Sequence, residues 1–363
     1  MLDLLLFVAL LVQSALTQHL PPIGWGSHSE GQQPLQQQPD PSYRPIVLWH
    51  GMGDSCCDPD SLERLTEMIQ RWLPGVFIYS VQLGDSLEQD RQASFFGLVS
   101  SQIQEACDNI SGVPELANGF NAIGFSQGGL FLRAVVQQCL SSPPIHTLLT
   151  FGSPHGGVSD IPNCADRSDT SCSIMRSIVR TGVYWPWVQK KVVQAQYFKR
   201  YTDMEQYLSK SAFLADINND RDDSINTEYA KRLRSLDKFI MVRFENDTMI
   251  APKDTAWFSF YNAQGELQDL KEQLLYKEDR LGLKSLDKSN SLVFSSLPGN
   301  HVSIFDWDID LRHHMYFKQL KKRVYRSTLF CNLINAISKF QFQLKFSDDQ
   351  FEGYIRDYFS QKV

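Results

Sequence analysis

The stretch Ile123-Gly124-Phe125-Ser126-Gln127-Gly128-Gly129 decides the fold of this chain of 363 residues. An apolar strand pattern from Asn121 to Phe125 runs into Gly-x-Ser-x-Gly and is followed by a helical pattern from Leu130 to Leu140. The order of strand, sharp turn and helix is that of a nucleophile elbow, in which the turn lifts a serine hydroxyl above the edge of a sheet. Glycines beside the serine tolerate the crowded backbone. We therefore take Ser126 as a candidate nucleophile. The alternative is a strand-helix turn that merely requires glycine.

Strand-like and helix-like segments alternate on both sides of this turn. A helical pattern lies between the first two strand patterns, with apolar residues at Leu62, Leu65, Ile69 and Trp72. Such alternation implies a mostly parallel sheet with helices on both faces. We predict an α/β fold over residues 45–310, with strands at 45–49, 76–81, 121–125, 147–151, 238–244 and 292–297.

The strand signal disappears between residues 152 and 236, where the sequence is helix-like and rich in aromatic residues. We interpret this segment as a helical insertion over the sheet edge that carries Ser126. One hypothesis is that the insertion forms an apolar groove for a long acyl chain. The other is an ordinary helical subdomain that packs its own aromatic residues, which is the commoner role of apolar residues at helical spacing.

The amino terminus predicts entry into the secretory pathway. Leu4 to Leu16 is an apolar run of a length typical of a signal peptide and too short to span a bilayer. We assign residues 1–18 to a signal peptide and residues 19–44, rich in proline and glutamine, to a flexible lead-in. A buried helix is the alternative for the apolar run. No stable transmembrane segment is expected after removal of the signal.

The composition indicates a globular protein that does not bind nucleic acid. Hydrophobic residues make up 42% of the chain, enough for a substantial interior. The net charge is −6, and no charged run is long enough to suggest a nucleic-acid partner.

The cysteines and glycosylation sequons favour the same oxidising compartment. Cys107 ends a helical pattern that leads into the elbow strand, and Cys139 ends the helix that leaves it. Both helices finish at the same edge of the sheet, so these two sulfurs can form a disulfide. Sequons begin at Asn109 and Asn246, which suits a secreted glycoprotein.

The other pairings are less constrained by the pattern. Cys164 and Cys172 bracket a short loop that a disulfide could close. Cys56 and Cys57 are adjacent and either form a strained vicinal bridge or stay as free thiols. No cysteine has the spacing to histidine that a zinc site requires, so we expect no metal.

A serine nucleophile needs a histidine base and an acid that orients the base. His301 follows the strand pattern 292–297 by a short loop, which brings it to the same sheet edge as Ser126. Asp247 comes just after the strand pattern 238–244. The order serine, acid, histidine is that of the α/β-hydrolase fold, which we therefore predict. Ser126, Asp247 and His301 are the predicted triad.

Two other residues compete for these roles. His155 follows directly on a strand end and is expected instead to shape the loop that opens the insertion. Asp254 is the second choice for the acid.

The oxyanion of an acyl-transfer reaction needs two aimed N–H donors. One donor is expected from the residue after the nucleophile, Gln127. The other is expected from the loop His50-Gly51-Met52-Gly53, through the N–H of Met52. A plain glycine turn is the alternative for this loop. The resulting chemistry requires no metal and no organic cofactor.

Several of these motifs together resemble the palmitoyl-protein thioesterase family. They are His50-Gly51-Met52-Gly53-Asp54-Ser55-Cys56-Cys57, the elbow continued to Ala134, Phe213-Leu214-Ala215-Asp216-Ile217-Asn218, Asn246-Asp247 followed by Trp257-Phe258, and Asp279-Arg280-Leu281-Gly282-Leu283. The resemblance extends over about residues 44–305.

The resemblance implies an α/β-hydrolase that removes palmitate and similar long acyl chains from the cysteine thioesters of S-palmitoylated proteins during lysosomal degradation. It implies the same triad as the residue patterns. It also implies the disulfides 56–57, 107–139 and 164–172, and an acyl groove supplied by the insertion. A lysosomal location follows from the resemblance alone, with secretion as the alternative.

The sequence after His301 departs from the family pattern, and we treat residues 311–363 as a divergent C-terminal extension. It contains a basic run, 318–326, the unpaired Cys331, and a strand-like alternation from Phe340 to Phe346. An added edge strand, a surface-interacting extension and a product of altered splicing are all open interpretations.

Three other functions stay open at the level of sequence. The nearest is a lipase or carboxylesterase that uses the same triad on oxygen esters. Another is a catalytically silent homologue that binds lipid or protein, although every triad and oxyanion position is filled. The third is a secreted interaction module built around the extension.

Overall fold

The computed structural model describes residues 43–160, 182–301 and 348–361. Within them a six-stranded sheet has the order β2-β1-β3-β4-β5-β8, and a separate two-stranded hairpin pairs β6 with β7. The strands are β1 (Ile46–Trp49), β2 (Ile78–Ser80), β3 (Phe120–Phe125), β4 (Ile145–Phe151), β5 (Lys238–Phe244), β6 (Phe260–Tyr261), β7 (Leu267–Gln268) and β8 (Leu292–Leu297).

Every neighbouring pair in the six-stranded sheet is parallel. Leu48 of β1 pairs in register with Ile123 of β3, and Ile123 pairs with Leu149 of β4. The parallel sheet predicted from the alternating pattern is therefore confirmed. All carboxyl ends of its strands meet at one edge, which is where ligands bind in open parallel sheets.

Helices connect the strands and cover the sheet. They are α1 (Leu62–Trp72), α2 (Leu87–Ala93), α3 (Val99–Ser111), α4 (Gln127–Gln138), α5 (Pro186–Lys191), α6 (Val193–Gln196), α7 (Met204–Lys210), α8 (Leu214–Ile217), α9 (Thr227–Leu233), α10 (Leu274–Lys277), α11 (Leu283–Lys288) and α12 (Asp348–Phe359). Short 3-10 helices lie at Pro114–Leu116, Lys253–Trp257 and Leu270–Glu272.

The two faces of the sheet bury separate apolar clusters. Along β1, Val47 and Trp49 pack into a cluster that includes residues of α3, α4 and the insertion. Ile46 and Leu48 point to the opposite face and pack with residues of α1 and α12. Side chains of a strand alternate between faces, so a strand that is apolar throughout requires a helical layer on each side.

The insertion between β4 and β5 is helical where the structure describes it, from residue 182 onward, and it contains helices α5 to α9. Most of its aromatic side chains are buried, including Tyr184, Tyr197 and Tyr207. Trp185 and Trp187 are exceptions and stay more than half exposed. Packing of its own aromatic residues therefore accounts for much of the aromatic content of this segment.

The extension after residue 310 contributes a helix to the core. Phe351, Ile355 and Phe359 of α12 are almost completely buried against the α1 face of the sheet. The ring of Phe351 lies 5.6 Å from that of Trp72 and 5.7 Å from that of Phe151. This helix packs on the same face of the sheet as α1 and is part of the core.

Other predictions fall outside the described residues. These are the signal peptide at 1–18, all but the last two residues of the lead-in at 19–44, Cys164 with Cys172, Cys331, the basic run 318–326, and the strand-like run 340–346. In the described part of the chain, no helix combines the length and apolarity needed to span a bilayer.

Cys107 and Cys139 form a disulfide between the ends of α3 and α4, with their Cα atoms 5.6 Å apart. The 56–57 pair implied by the family resemblance is not formed, and both residues are free thiols. The buried Cys56 thiol instead donates to Oε1 of Gln82 at 3.3 Å. Asn109 and Asn246 are both exposed, as glycosylation requires.

Candidate active site

The turn between β3 and α4 holds Ser126 in a strained conformation at the carboxyl edge of the sheet. Its φ of 52° lies in the left-handed region that residues other than glycine rarely adopt. The Ser126 N–H donates to the Phe151 carbonyl at 2.8 Å. A Cβ on Gly128 would lie 2.3 Å from the His50 carbonyl oxygen, so only glycine fits there. The turn therefore has the geometry of a nucleophile elbow.

The structure brings the three predicted triad residues together. His301 Nε2 lies 2.9 Å from Ser126 Oγ, and His301 Nδ1 lies 2.5 Å from Asp247 Oδ2. Ser126 and His301 are 3% and 5% exposed, which limits competition from water. The imidazole therefore lies between a hydroxyl and a carboxylate, both within hydrogen-bond reach.

Backbone amides and Asn300 hold the acid and the base in these positions. Asp247 Oδ1 accepts from the N–H groups of Met249 at 2.8 Å and Ile250 at 3.0 Å. Asn300 Oδ1 accepts from the N–H groups of His301 at 2.7 Å and Thr248 at 3.0 Å, which joins the two loops. These loops follow β5 and β8, which are neighbours in the sheet. Neighbouring parallel strands thus deliver acid and base to one edge.

The competing base and acid are engaged elsewhere. His155 is completely buried, stacks on Phe258 with ring centroids 5.0 Å apart, and has Nε2 3.0 Å from Thr150 Oγ1. Burial, reinforced by the charge of Arg133, lowers the pKa of His155 well below its ordinary value and so favours the neutral ring. Asp254 forms an ion pair with Arg243. Both residues have structural contacts that account for their positions.

The two expected oxyanion donors lie on segments joined through Ser94. The Gly53 N–H, next to Met52, donates to Ser94 Oγ at 2.8 Å. The Gln127 side chain donates from Nε2 to the Ser94 carbonyl at 3.0 Å. Gln127 is the first residue of α4, in the turn where helical N–H groups lack intrahelical acceptors. Within the described residues, the Met52 N–H has no hydrogen-bond partner.

A buried ion pair holds the loop that carries Met52. Nε2 of His50 lies 3.1 Å from Asp90 Oδ1, and Nδ1 lies 2.8 Å from the Gly51 carbonyl. Both partners accept, so both ring nitrogens donate and the imidazole is protonated. Asp90 also accepts from the N–H groups of Cys56 and Leu83.

The pKa values of this pair follow from its geometry. Burial alone lowers the pKa of His50, but the hydrogen bond and charge of Asp90 outweigh it and the pKa is raised. Burial alone raises the pKa of Asp90, but His50 and two backbone N–H groups outweigh it and the pKa is lowered. Mildly acidic pH therefore favours the charged pair.

Sequence reasoning missed Asp90 and Ser94. Asp90 lies within α2, where its neighbours Gln89 and Arg91 are also polar, so nothing in the pattern marks it as buried. Ser94 follows the same helix and precedes Phe95 and Phe96. Their importance arises from contacts with residues about 30 to 40 positions away, which no local signal encodes.

The arrangement is suited to acyl transfer by a serine. His301 is placed to take the proton of Ser126, and Asp247 to orient and balance the resulting imidazolium. Among the described residues, no group of three or more histidine, cysteine or acidic side chains is arranged to hold a metal ion.

Comparisons with known proteins relate the chain to thioesterases. The family model for palmitoyl protein thioesterase matches residues 45–301. Palmitoyl-protein thioesterase 1 of Caenorhabditis elegans is 42% identical over 263 residues, which cover 72% of this chain and 87% of that protein. Palmitoyl-protein thioesterase 3 of Dictyostelium discoideum is 36% identical, with 71% of this chain and 85% of that protein covered.

A more distant relative, lysosomal thioesterase PPT2 of Homo sapiens, is 29% identical over 71% of this chain and 82% of that protein. The matched region contains the elbow, the His50–Gly53 loop and the loops that carry Asp247 and His301. With its parallel sheet of α/β-hydrolase type, the chain belongs to the palmitoyl protein thioesterase family.

Proposed function

We propose that this protein hydrolyses the thioester that links palmitate or a similar long acyl chain to a cysteine of a protein or peptide, and that it does so in the lysosome. The observation that carries the proposal is the hydrogen-bonded series Ser126, His301 and Asp247 at the carboxyl edge of the sheet, in a member of this family. Ser126 is the nucleophile, His301 the general base and acid, and Asp247 the group that orients His301.

The first half of the reaction acylates the serine. His301 Nε2 accepts the proton of Ser126 Oγ, which attacks the thioester carbonyl carbon. The carbonyl oxygen becomes an oxyanion, which accepts hydrogen bonds from the N–H groups of Met52 and Gln127. The intermediate then expels the cysteine thiolate, which takes the proton from His301. An acyl-enzyme ester remains on Ser126.

The second half releases the fatty acid. Water donates a proton to His301 Nε2 and attacks the acyl-enzyme carbonyl, and the second tetrahedral intermediate uses the same two N–H donors. Collapse breaks the bond to Ser126 Oγ, which recovers its proton from His301. Thiolate is a better leaving group than an amine, so the first half needs less help from the general acid than amide cleavage does.

The insertion supports a long acyl chain as the substrate. Gln194 of α6 and Tyr197, the residue that follows this helix, both contact Gln127 Oε1 at 3.2 Å, so this part of the insertion touches the residue after the nucleophile. The insertion therefore packs against the residue that follows the nucleophile. We assign the acyl groove to this insertion.

Several features support delivery through the secretory pathway. The Cys107–Cys139 disulfide suits an oxidising compartment, and Asn109 and Asn246 are exposed for glycosylation. A signal peptide at 1–18 and a Cys164–Cys172 bond complete the proposal. The acid-favoured His50–Asp90 pair suits a lysosome, the compartment for which the human relative, lysosomal thioesterase PPT2, is named.

A comparison of thioester and oxygen-ester substrates tests this function. Wild type is expected to hydrolyse a palmitoyl-thioester probe faster than the matched palmitoyl ester. Ser126→Ala and His301→Ala are expected to lose about 10⁴-fold or more in kcat/KM. Ser101→Ala, an exposed serine on α3, is the control.

Labelling with a fluorophosphonate separates an enzyme from a silent binding protein. Wild type is expected to react at Ser126, and Ser126→Ala is expected not to. Undiminished hydrolysis by either triad variant would refute the mechanism. A preference for the oxygen ester would instead assign the protein to the lipases or carboxylesterases.

A further inference from the structure

The insertion and the segment before α3 together carry an exposed aromatic and basic surface that the proposed chemistry does not use. We propose that this surface binds an anionic lipid bilayer and so presents the active site to acyl chains attached to membrane proteins. It consists of Phe96, Trp185, Trp187, Lys190 and Lys191, and we call it the aromatic–lysine face. The inference rests on the proposed function and extends it by naming where the substrate is met.

The aromatic side chains of this face are unusually open to solvent. Phe96, Trp185 and Trp187 are 58%, 52% and 61% exposed, whereas Trp49 in the core is 2% exposed. The two indole rings are neighbours, with centroids 6.4 Å apart. Tryptophan is enriched at bilayer interfaces, where its apolar body enters the acyl boundary while its N–H stays hydrated.

Helix spacing and backbone contacts place the five residues side by side. Trp187 precedes Lys190 and Lys191 by three and four positions in α5, so these side chains share one side of the helix. The Gly97 N–H donates to the Lys191 carbonyl at 3.0 Å, and Phe96 pairs with Val192 across an antiparallel bridge. Phe96 therefore borders the same surface as α5.

The local charge favours an anionic partner. The sequence from 182 to 202 contains no aspartate or glutamate, although the whole chain has a net charge of −6. Lys190 and Lys191 are exposed in the last turn of α5. Long lysine side chains can reach lipid phosphates while aromatic neighbours enter the interface. The face thus combines apolar anchors with positive charge, as interfacial binding surfaces do.

The face lies beside the candidate active site. Ser94, two residues before Phe96, accepts a hydrogen bond from Gln127 Nε2 at 3.0 Å and another from Gln194 Nε2 at 2.8 Å. Gln194 follows Lys191 by three residues and also donates to Gln127 Oε1. Both segments of the face therefore lead directly to the residue after the nucleophile. A bilayer bound there meets the enzyme next to Ser126.

Vesicle co-sedimentation tests binding directly. Wild type is expected to bind phosphatidylcholine vesicles that contain phosphatidylserine, and to bind vesicles without it more weakly. Trp185→Ala/Trp187→Ala is expected to weaken binding about tenfold or more, because the main apolar anchors are gone. In Lys190→Gln/Lys191→Gln, the loss of each lysine is expected to weaken vesicle binding about fivefold. Raised salt should reduce binding further.

Matched controls change similar residues away from the face. Leu140→Ser removes an exposed apolar side chain near the opposite, amino edge of the sheet, where Leu140 is 85% exposed. Lys231→Gln removes an exposed positive charge on α9. Both are expected to bind vesicles as wild type does. Thermal unfolding verifies that every variant is folded.

Hydrolysis separates membrane presentation from chemistry. The tryptophan and lysine variants are expected to keep wild-type rates on a detergent-free soluble acyl-thioester and to lose about tenfold or more on a vesicle-anchored S-palmitoyl peptide. Wild-type vesicle binding by both variants would overturn the inference, as would concentration-dependent dimerisation through this face. If wild type bound vesicles but hydrolysed neither substrate, the proposed function would be refuted and the membrane-binding proposal would be supported.

Discussion

At the scale of single residues, Ser94 connects the two segments that supply the proposed oxyanion donors. Its hydroxyl accepts from the Gly53 N–H, and its carbonyl accepts from the Gln127 side chain. The residue is 3% exposed, so water does not readily replace a lost hydroxyl. A small movement of Met52 relative to Gln127 would separate the donors from the oxyanion.

We expect Ser94→Ala to lower kcat about tenfold with little change in KM, because aimed N–H donors act mainly on the transition state. Steady-state kinetics on a soluble palmitoyl-thioester measures both constants. Ser101→Ala is the matched control. A rise in KM without a fall in kcat would show that Ser94 supports substrate binding instead.

At the scale of elements, the His50–Asp90 pair joins the loop after β1 to helix α2. The pKa of His50 in the folded protein is raised above its ordinary value of 6.5. Protonated His50 therefore stabilises the fold fully below pH 6.5, and this contribution is lost as the pH rises through the pKa of the folded protein. The pKa of Asp90 is lowered below its ordinary 3.8, so its stabilisation is present above that pH and is lost only as pH falls further. His50 and Asp90 therefore both contribute fully to stability between pH 3.8 and pH 6.5.

We therefore expect the free energy of unfolding to be greater at mildly acidic pH than at pH about 9. Asp90→Asn is expected to cost about 3–5 kcal/mol in the acidic window, because it leaves a buried charge unpaired, and to flatten the pH profile. Urea unfolding across pH measures this. Asp85→Asn, on the exposed surface before α2, is the control. If Asp90→Asn left the pH dependence of the unfolding free energy unchanged, the His50–Asp90 pair would not be its source.

Helix α12 packs against β4 and β8, and β8 leads to the loop that carries His301. Its Phe351 packs on Phe151 of β4, and its Tyr354 OH lies 2.5 Å from Ser295 Oγ of β8. We expect Phe351→Ala to lower the free energy of unfolding by about 3–5 kcal/mol, since the ring is completely buried.

Urea unfolding of the full chain tests this role of α12. Asp357→Ala, on the exposed side of the same helix, is expected to change the value by less than about 0.5 kcal/mol. Equal stability of the two variants would place α12 outside the cooperative core.

At the scale of the whole molecule, the Cys107–Cys139 disulfide restricts the unfolded chain across a sequence separation of 32 residues. We expect Cys107→Ser/Cys139→Ser to lose about 3–4 kcal/mol of unfolding free energy, from the entropy regained by the open loop. The urea midpoint with and without reductant measures the effect. Cys57→Ser, an exposed free thiol, should change little, and a midpoint shared by the double variant and wild type would contradict the estimate.

Much of the fold and of the candidate site was predictable from local pattern. Continuous apolar runs located the central strands of the sheet, because strands buried on both faces must be apolar throughout. The Gly-x-Ser-x-Gly turn located Ser126, and chain order then selected Asp247 and His301. The sheet prediction was confirmed, and the structure brings the three predicted triad residues within hydrogen-bond reach of one another. Each of these predictions depends on residues that are close in sequence or on the regular topology of parallel strands.

The sequence by itself thus determined the sheet, the elbow and the identity of the candidate triad. Only the tertiary structure decided that Cys56 and Cys57 are free, that Asp90 and Ser94 hold the His50–Gly53 loop, and that α12 belongs to the core. The reason is physical. Hydrogen bonds and packing between residues far apart in the chain depend on how whole elements are placed, and local propensity does not contain that placement.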